Sequence, residues 1–418
     1  MKRAAWQVGT CVAALVMSAG VAGARGASGS RVIVDDGLKR TAARDLVIEE
    51  STVRFVDGDE RPRTLERARV LAILPGEDGG IAKDDGQIVW REITDVRRDA
   101  TGRVEMVDGQ VFPGRLSSTA AEAKLGRLRW SNALLGELEF AMDDVSVAVL
   151  LGEKAVLPKM DRSAGDMVGL INQDRVEGFV AKIGSEVEVE VSNKPVKLPL
   201  ERVAFVRLAN AEKAAKGARA WLSDATVVNV GDVRMTAEGM VQLRVPARGE
   251  ANASMSIGAD DVVAVNLDAA RLRPLATMAM RVAATPKDRL WAKPPTVRDP
   301  IASPLGAGEV EMPGPMTVEW TLPVGAERVA GVAELPAGAR AWGDFTLVLE
   351  VVSGATKKDV LRERMYEGKT SVEFNFAVGA ADAPAAKEGV KMRATIDSGE
   401  SGPIQDRVVL RRVLVLVK

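Results

Sequence analysis

Apolar residues recur at every second position in short runs along most of the chain. Val187-Glu188-Val189-Glu190-Val191 alternates strictly, and Val203-Ala204-Phe205-Val206 is a brief β-branched and aromatic run. Alternation sends successive side chains to opposite faces of a pleated strand, so such runs predict half-buried strands. Helical spacing is weak nearly everywhere, and the alanine-rich stretch 211–220 is the place where it predicts a short helix.

The strands fall into repeats. Three segments close alike: Asp143-Asp144-Val145 runs to Leu150, Glu201-Arg202-Val203 to Leu208, and Asp260-Asp261-Val262 to Leu267, with 58 and 59 residues between successive valines. Each copy also opens alike, with a turn pair before β-formers: Asp108-Gly109 then Val111-Phe112, Asn172-Gln173 then Arg175-Val176, Asp224-Ala225 then Val227-Val228. Gly114 and Gly178 match in the first two, and a looser copy starts at Asp36-Gly37 and closes through Val70 to Leu74. Asp-Gly between apolar alternations is a hairpin signal, because glycine takes positive φ without a Cβ clash. A unit of this size with several short strands buries its apolar face most economically as a small closed or partly closed barrel.

The expected fold is therefore all-β, tandem small β-barrel repeats followed by a C-terminal jelly-roll-like β-sandwich. The repeats are read as 32–100, divergent and carrying an insert near Glu77 to Gly80, then 101–160, 161–212 and 217–285. Residues 286–315 are rich in proline and glycine and read as a linker. Six strand-like segments between Thr317 and Val417 predict the sandwich over 316–418.

The Asp-Gly openings and acid-x-Val closures resemble the Sm-like small barrel repeats of exported proteins from Planctomycetes-like bacteria. Trp342-Gly343-Asp344-Phe345-Thr346-Leu347-Val348-Leu349-Glu350, with Ala394 to Gly399 leading to Asp406 and Val408-Val409-Leu410, resembles the NPCBM family of carbohydrate-binding jelly rolls. That second resemblance implies a sandwich that binds a glycan.

Composition narrows the roles. The 57 Lys plus Arg balance 58 Asp plus Glu, leaving no basic stripe for tracking phosphates and arguing against a nucleic-acid partner. Without histidine, and with the single cysteine Cys11, the familiar triads, imidazole shuttles and His-ligated metals are excluded. The N-terminus has a basic start at Lys2 and Arg3, an apolar stretch from Cys11 to Met17 and small residues ending Ala22-Gly23-Ala24, the layout of a signal peptide cleaved near Ala24. No later run is apolar over the roughly 18 residues a spanning helix needs, so a secreted or periplasmic protein without a membrane span is expected.

The chemistry left to such a chain is recognition. Sugar sites stack aromatic rings on apolar sugar faces and fix orientation with a few polar groups, which makes Trp320, Trp342 and Tyr366 the candidate ligand-binding residues. Tyr366 lies in Arg362-Glu363-Arg364-Met365-Tyr366-Glu367-Gly368, read as a charged loop. The adjacent acids Asp35-Asp36, Asp143-Asp144 and Asp260-Asp261 point to opposite sides of any strand, so their recurrence argues for a turn role and against paired catalytic carboxylates. Asp57-Gly58-Asp59-Glu60 offers oxygen ligands but lacks a calcium-loop pattern and reads as a turn. No catalytic residue, metal or cofactor is expected. The reading is a non-enzymatic exported binding protein, its barrels serving as spacer or docking modules and its sandwich holding a ligand, plausibly a glycan. The alternative is a structural or protein-interaction component of the cell envelope.

Overall fold

Each repeat begins with a hairpin whose geometry is the same four times over. Backbone N–H groups of Asp35, Met106, Leu170 and Leu222 donate to the carbonyls of Lys39, Gln110, Asp174 and Thr226, at 2.9–3.1 Å. The residue just before each acceptor sits at positive φ: Leu38 at 56°, Gly109 at 81°, Gln173 at 73° and Ala225 at 67°. This is a three-residue loop ending in a left-handed residue, a hairpin form that matches strand twist. The expectation that glycine fills this slot holds only at Gly109. In the first unit Asp36-Gly37 is offset by one position and Leu38 takes the strained conformation, its side chain buried in one apolar cluster with Leu414 and Leu416.

These elements belong to a computed structural model that describes residues 30–76, 80–82, 88–90, 102–117, 126–150, 165–246, 254–285, 293–298, 305, 307–379, 389–398, 402 and 404–418. The leader expected over residues 1–24, and residues 77–79 of the insert expected in the first unit, lie outside the described residues.

The three acid-x-Val closures and the looser one of the first unit are single 3-10 turns, Arg67–Arg69, Met142–Asp144, Leu200–Arg202 and Ala259–Asp261, each delivering a valine that starts the closing strand. The closing strands are Val70–Pro75, Val145–Val149, Val203–Arg207 and Val262–Asn266. Opening and closing signatures meet physically. Amides of Asp36, Val107, Ile171 and Ser223, in the hairpins, donate to the last residue of each 3-10 turn, Arg69, Asp144, Arg202 and Asp261, at 2.8–3.0 Å. Asp143-Asp144 and Asp260-Asp261 thus occupy turns, where the sequence places them.

Every closing strand pairs antiparallel with the first strand of its own unit: Arg31–Asp35, Gly102–Met106, Met167–Leu170 or Ala218–Leu222. Among the described residues no pairing joins a unit's fourth strand to its closing strand, so the barrels stay open, bridged by the 3-10 turn. Gly114 and Gly178 mark where the second strand bends against the third: a Cβ there would lie 2.1 Å from the Ser131 carbonyl oxygen and 2.4 Å from that of Glu190.

The units contact one another through equivalent surfaces. Closing strands of the second and third units pair about Ala148↔Val206, with Leu150 N–H donating to Ala204 O and Leu208 N–H to Ser146 O, both at 2.9 Å. Closing strands of the first and fourth pair about Ile73↔Val265, and Leu267 N–H donates to Leu71 O at 2.8 Å. The mirror position of Leu267 is Pro75, which has no N–H, and the Arg31 guanidinium supplies the missing donor to Val263 O at 2.9 Å. The second and fourth units join at Val111↔Val227 and across a buried polar network. Asn132 Nδ2 donates to Asp224 Oδ2 and Thr226 Oγ1, while Asn229 Nδ2 donates to Asp108 Oδ2 at 2.6 Å. In space the units therefore run third, second, fourth, first.

The expected helix over 211–220 does not form. Residues 209–216 carry no regular structure and Ala218–Leu222 is a strand. The crossing segment is tied to the second unit instead: Lys213 N–H donates to Val107 O, its Nζ pairs with Asp144 at 2.6 Å, and Asn210 Nδ2 donates to the carbonyls of Met142 and Val145.

The C-terminal part is a two-sheet antiparallel sandwich. One sheet is ordered Thr296–Arg298, Glu309–Pro313, Arg407–Val417, Ala326–Glu334, Ser371–Ala377, and the other Met280–Ala284, Met316–Thr321, Val390–Ser398, Phe345–Ser353, Thr356–Met365. The stretch 286–315, expected to be a linker, contributes two of these strands, and Leu272–Pro274 and Met280–Ala284, expected in the fourth repeat, also pair with sandwich strands. Proline ends strands without forbidding them at sheet edges, which is where Thr296–Arg298 lies. The first unit docks on this sandwich: Arg40 Nη2 donates to Arg412 O at 2.7 Å, and Asn375 Nδ2 to Gly37 O at 3.0 Å.

Candidate functional site

One end of the sandwich gathers two of the three aromatic candidates. The chain leaves Ala326–Glu334, makes the 3-10 turn Ala337–Ala339, and folds back tightly, with the amides of Trp342 and Gly343 both donating to Ala339 O at 3.3 and 2.7 Å. A Cβ on Gly343 would lie 2.7 Å from Leu335 Cδ1 and 2.9 Å from Ala339 O, so only glycine lets the loop close this far. The fold-back leaves Trp342 with 65% of its surface exposed.

Strand Phe345–Ser353 follows at once and pairs with Thr356–Met365 through Phe345↔Met365 and Thr346↔Arg364. That register brings the segment after Met365 beside the segment before Phe345. Tyr366 opens a tight turn there, exchanging backbone hydrogen bonds with Lys369 at 2.8 and 3.2 Å, and is 43% exposed. Its ring lies over Gly368, where a Cβ would meet Cε2 at 2.7 Å. The charged stretch expected to be a loop is thus the end of an edge strand, and charge along such an edge discourages pairing with other chains.

An ion pair joins the two segments. Arg364 grips Asp344 with both forks, Nε and Nη2 reaching Oδ1 and Oδ2 at 2.7 and 2.8 Å, and its guanidinium carbon lies 5.6 Å from the Tyr366 ring centre. The Arg364 hydrogen bond holds the Asp344 carboxyl below the usual carboxylate range. Asp344 N–H in turn donates to Asp406 Oδ1 at 3.3 Å, and Gly314 N–H to Asp406 O at 2.6 Å, which anchors the base of the loop to two neighbouring segments. The result is a surface with two exposed aromatic faces, a fixed carboxylate and a guanidinium. It has the parts to stack on apolar ring faces and to hydrogen-bond hydroxyl groups.

Trp320 is elsewhere. It is fully buried in the sandwich core, opposite Met280 and Met392, and cannot meet a ligand. Its place follows from alternation, since Met316, Val318, Trp320 and Leu322 all face inward. Sequence reasoning missed Asp344 and Arg364. The available signal was an acid two residues after an off-pattern tryptophan, but its basic partner lies across a strand register that spacing alone does not set.

The remaining candidates resolve into structure. Asp57 is buried, its Oδ1 accepting from the amides of Asp59 and Arg61 and its Oδ2 from Arg63 Nε at 2.7 Å, a turn held by its own side chain. Among the described residues no three His, Cys, Asp or Glu side chains form a metal-ligand set. Within the same limits, no helix is long and apolar enough to cross a membrane.

No family model and no curated protein matches the chain. Solved structures similar to it include the tandem CBM51 modules of a family 98 glycoside hydrolase from Streptococcus pneumoniae SP3-BS71, at 9% identity and TM-score 0.26, covering 64% of this chain and 97% of that one. A CBM51 from a Clostridium perfringens GH95 protein in complex with methyl-galactose has 7% identity and TM-score 0.21, covering 26% and 70%. The CBM51-2 and INT domains of Clostridium perfringens ZmpB have 8% identity and TM-score 0.25, covering 45% of this chain and only 40% of that one. These are carbohydrate-binding modules, but at such low scores the likeness carries no argument about this chain's fold or ligand.

Proposed function

We propose that this chain is a non-enzymatic exported binding protein whose sandwich holds a carbohydrate against Trp342 and Tyr366, with the barrel array as its platform. The observation that carries this reading is the exposure of Trp342 on a loop that folds back tightly at Gly343 and is tied through Asp344 N–H to Asp406. A large indole left in water costs apolar hydration, and a rigid exposed aromatic beside a pre-oriented polar pair is what sugar recognition needs. The ligand class that fits is a pyranose with one apolar face for the indole and hydroxyl groups for Asp344 and Arg364. In a glycan array probed with the full chain, Trp342→Ala is expected to weaken binding at least about tenfold, equivalent to roughly 1.4 kcal/mol, with unchanged thermal melting. No glycan binding by the unaltered chain, or binding unmoved by Trp342→Ala and Tyr366→Ala together, overturns the proposal.

A further inference from the structure

Three of the four opening hairpins are covered. Those of the second and fourth units cover one another through Val111↔Val227, and that of the first docks on the sandwich through Leu38 and Arg40. The corresponding hairpin of the third unit has no such cover among the described residues. Ile171 is 60% exposed and Phe179 65%, and Asn172, Gln173, Asp174, Arg175 and Glu177 are exposed as well. Among the described residues its strand Arg175–Glu177 pairs with Met167–Leu170 alone, which leaves its other edge open within those residues.

That edge has a definite polarity. Leu170 N–H donates to Asp174 O and Gly178 N–H to Asp166 O, so residues 174, 176 and 178 turn their backbone groups inward. Arg175 and Glu177 therefore turn theirs outward, and their side chains share the outer face on either side of Val176. Contacts between units in this molecule join equivalent strands antiparallel, each interface made of the same surface used twice. Continuing the alternation of closing-strand and opening-strand contacts past the third unit calls for another opening strand, and none remains among the described residues.

We infer that the third unit's open edge pairs with the same edge of a second copy, about a two-fold axis at Val176. In that register Arg175 of each copy lies opposite Glu177 of the other, and both pairs exchange backbone hydrogen bonds. A register centred on Arg175, as at Val111↔Val227, sets like charges face to face and is disfavoured. The charge order along three residues therefore selects one self-complementary pairing. Ile171 and Phe179 flank it and lose their exposure. The interface is small, so the dimer is a weak, concentration-dependent one.

The test is sedimentation equilibrium of the full chain across roughly 1 to 300 µM, the range in which small interfaces associate. The unaltered chain is expected to shift from monomer to dimer. Arg175→Glu and Glu177→Arg, both exposed and each checked for native circular dichroism, are expected to weaken association at least about tenfold, because each sets like charges across the axis twice. The double variant Arg175→Glu/Glu177→Arg is expected to restore it, and so is mixing the two single variants, which gives opposite charges at both positions. A chain that stays monomeric throughout overturns the inference, as does a dimer indifferent to either single change or one that neither the double variant nor the mixture restores.

Discussion

Glu319 is a buried carboxylate in the middle of a sheet face, held by arginines on both sides. Arg281 reaches its Oε2 at 2.6 Å and Arg393 Nε its Oε1 at 3.0 Å, and Arg393 also pairs with Glu350, so alternating charges cross four strands. The hydrogen bonds from Arg281 and then Arg393 hold the Glu319 carboxyl below its ordinary range against the opposing effect of burial. A depressed folded-state pKa means that this stabilisation is complete above the unfolded value near 4.3 and is lost as pH falls through the folded one. Glu319→Gln should cost about 1–3 kcal/mol at pH 7, and the gap between variant and parent should narrow below about pH 4, as read by urea unfolding at both pH values. At this scale some roles were legible and others were not. Trp320 was expected to meet a ligand, yet it shares the inward beat of Met316, Val318 and Leu322 and is core, whereas Trp342, off any such beat beside Gly343, is exposed. The Asp344–Arg364 pair was hidden, because two residues 20 positions apart meet only through the hairpin register.

The repeating element is a hairpin locked to a 3-10 turn, and its two halves were both visible as motifs before their contact was. Acid-x-Val endings recur because a short turn must hand the chain back to the first strand at one fixed place, and the amide of the opening hairpin marks that place. Matching glycines mark another constraint. Gly114 sits at a φ of 148° with the Ser131 carbonyl where its Cβ would go, so Gly114→Ala should destabilise the protein by about 2–4 kcal/mol, measured by chemical unfolding, and Gly178→Ala should behave alike. What the motifs concealed was the partner of each closing strand. Val70–Pro75 and Val145–Val149 lack alternation because one face fills the barrel and the other fills a junction between units, a signature of strands buried on both sides. The stretch 211–220 misled for a related reason: alanine favours helix only weakly, and the Asn210 side chain and the Lys213 amide and side chain find better partners on the second unit.

Across the whole molecule, the barrels are not beads on a string but a packed array fastened through equivalent strands. Its pseudo-symmetry is broken at Pro75, and Arg31 repairs the break by donating to the carbonyls of Val263 and Ala259, both at 2.9 Å. Arg31→Ala leaves two carbonyls of the first-to-fourth junction without those donors and should cost about 1–3 kcal/mol, seen as a lowered melting temperature. The spatial order third, second, fourth, first differs from the order of synthesis. Ile73 finds its mate in Val265, 192 positions later, and Val111 waits for Val227. A nascent chain must therefore keep two hydrophobic, hydrogen-bond-hungry borders from sticking to foreign sequences until its last barrel arrives. The fourth repeat covers both borders, so a chain cut short of it leaves the strand borders of the first and second units without those mates.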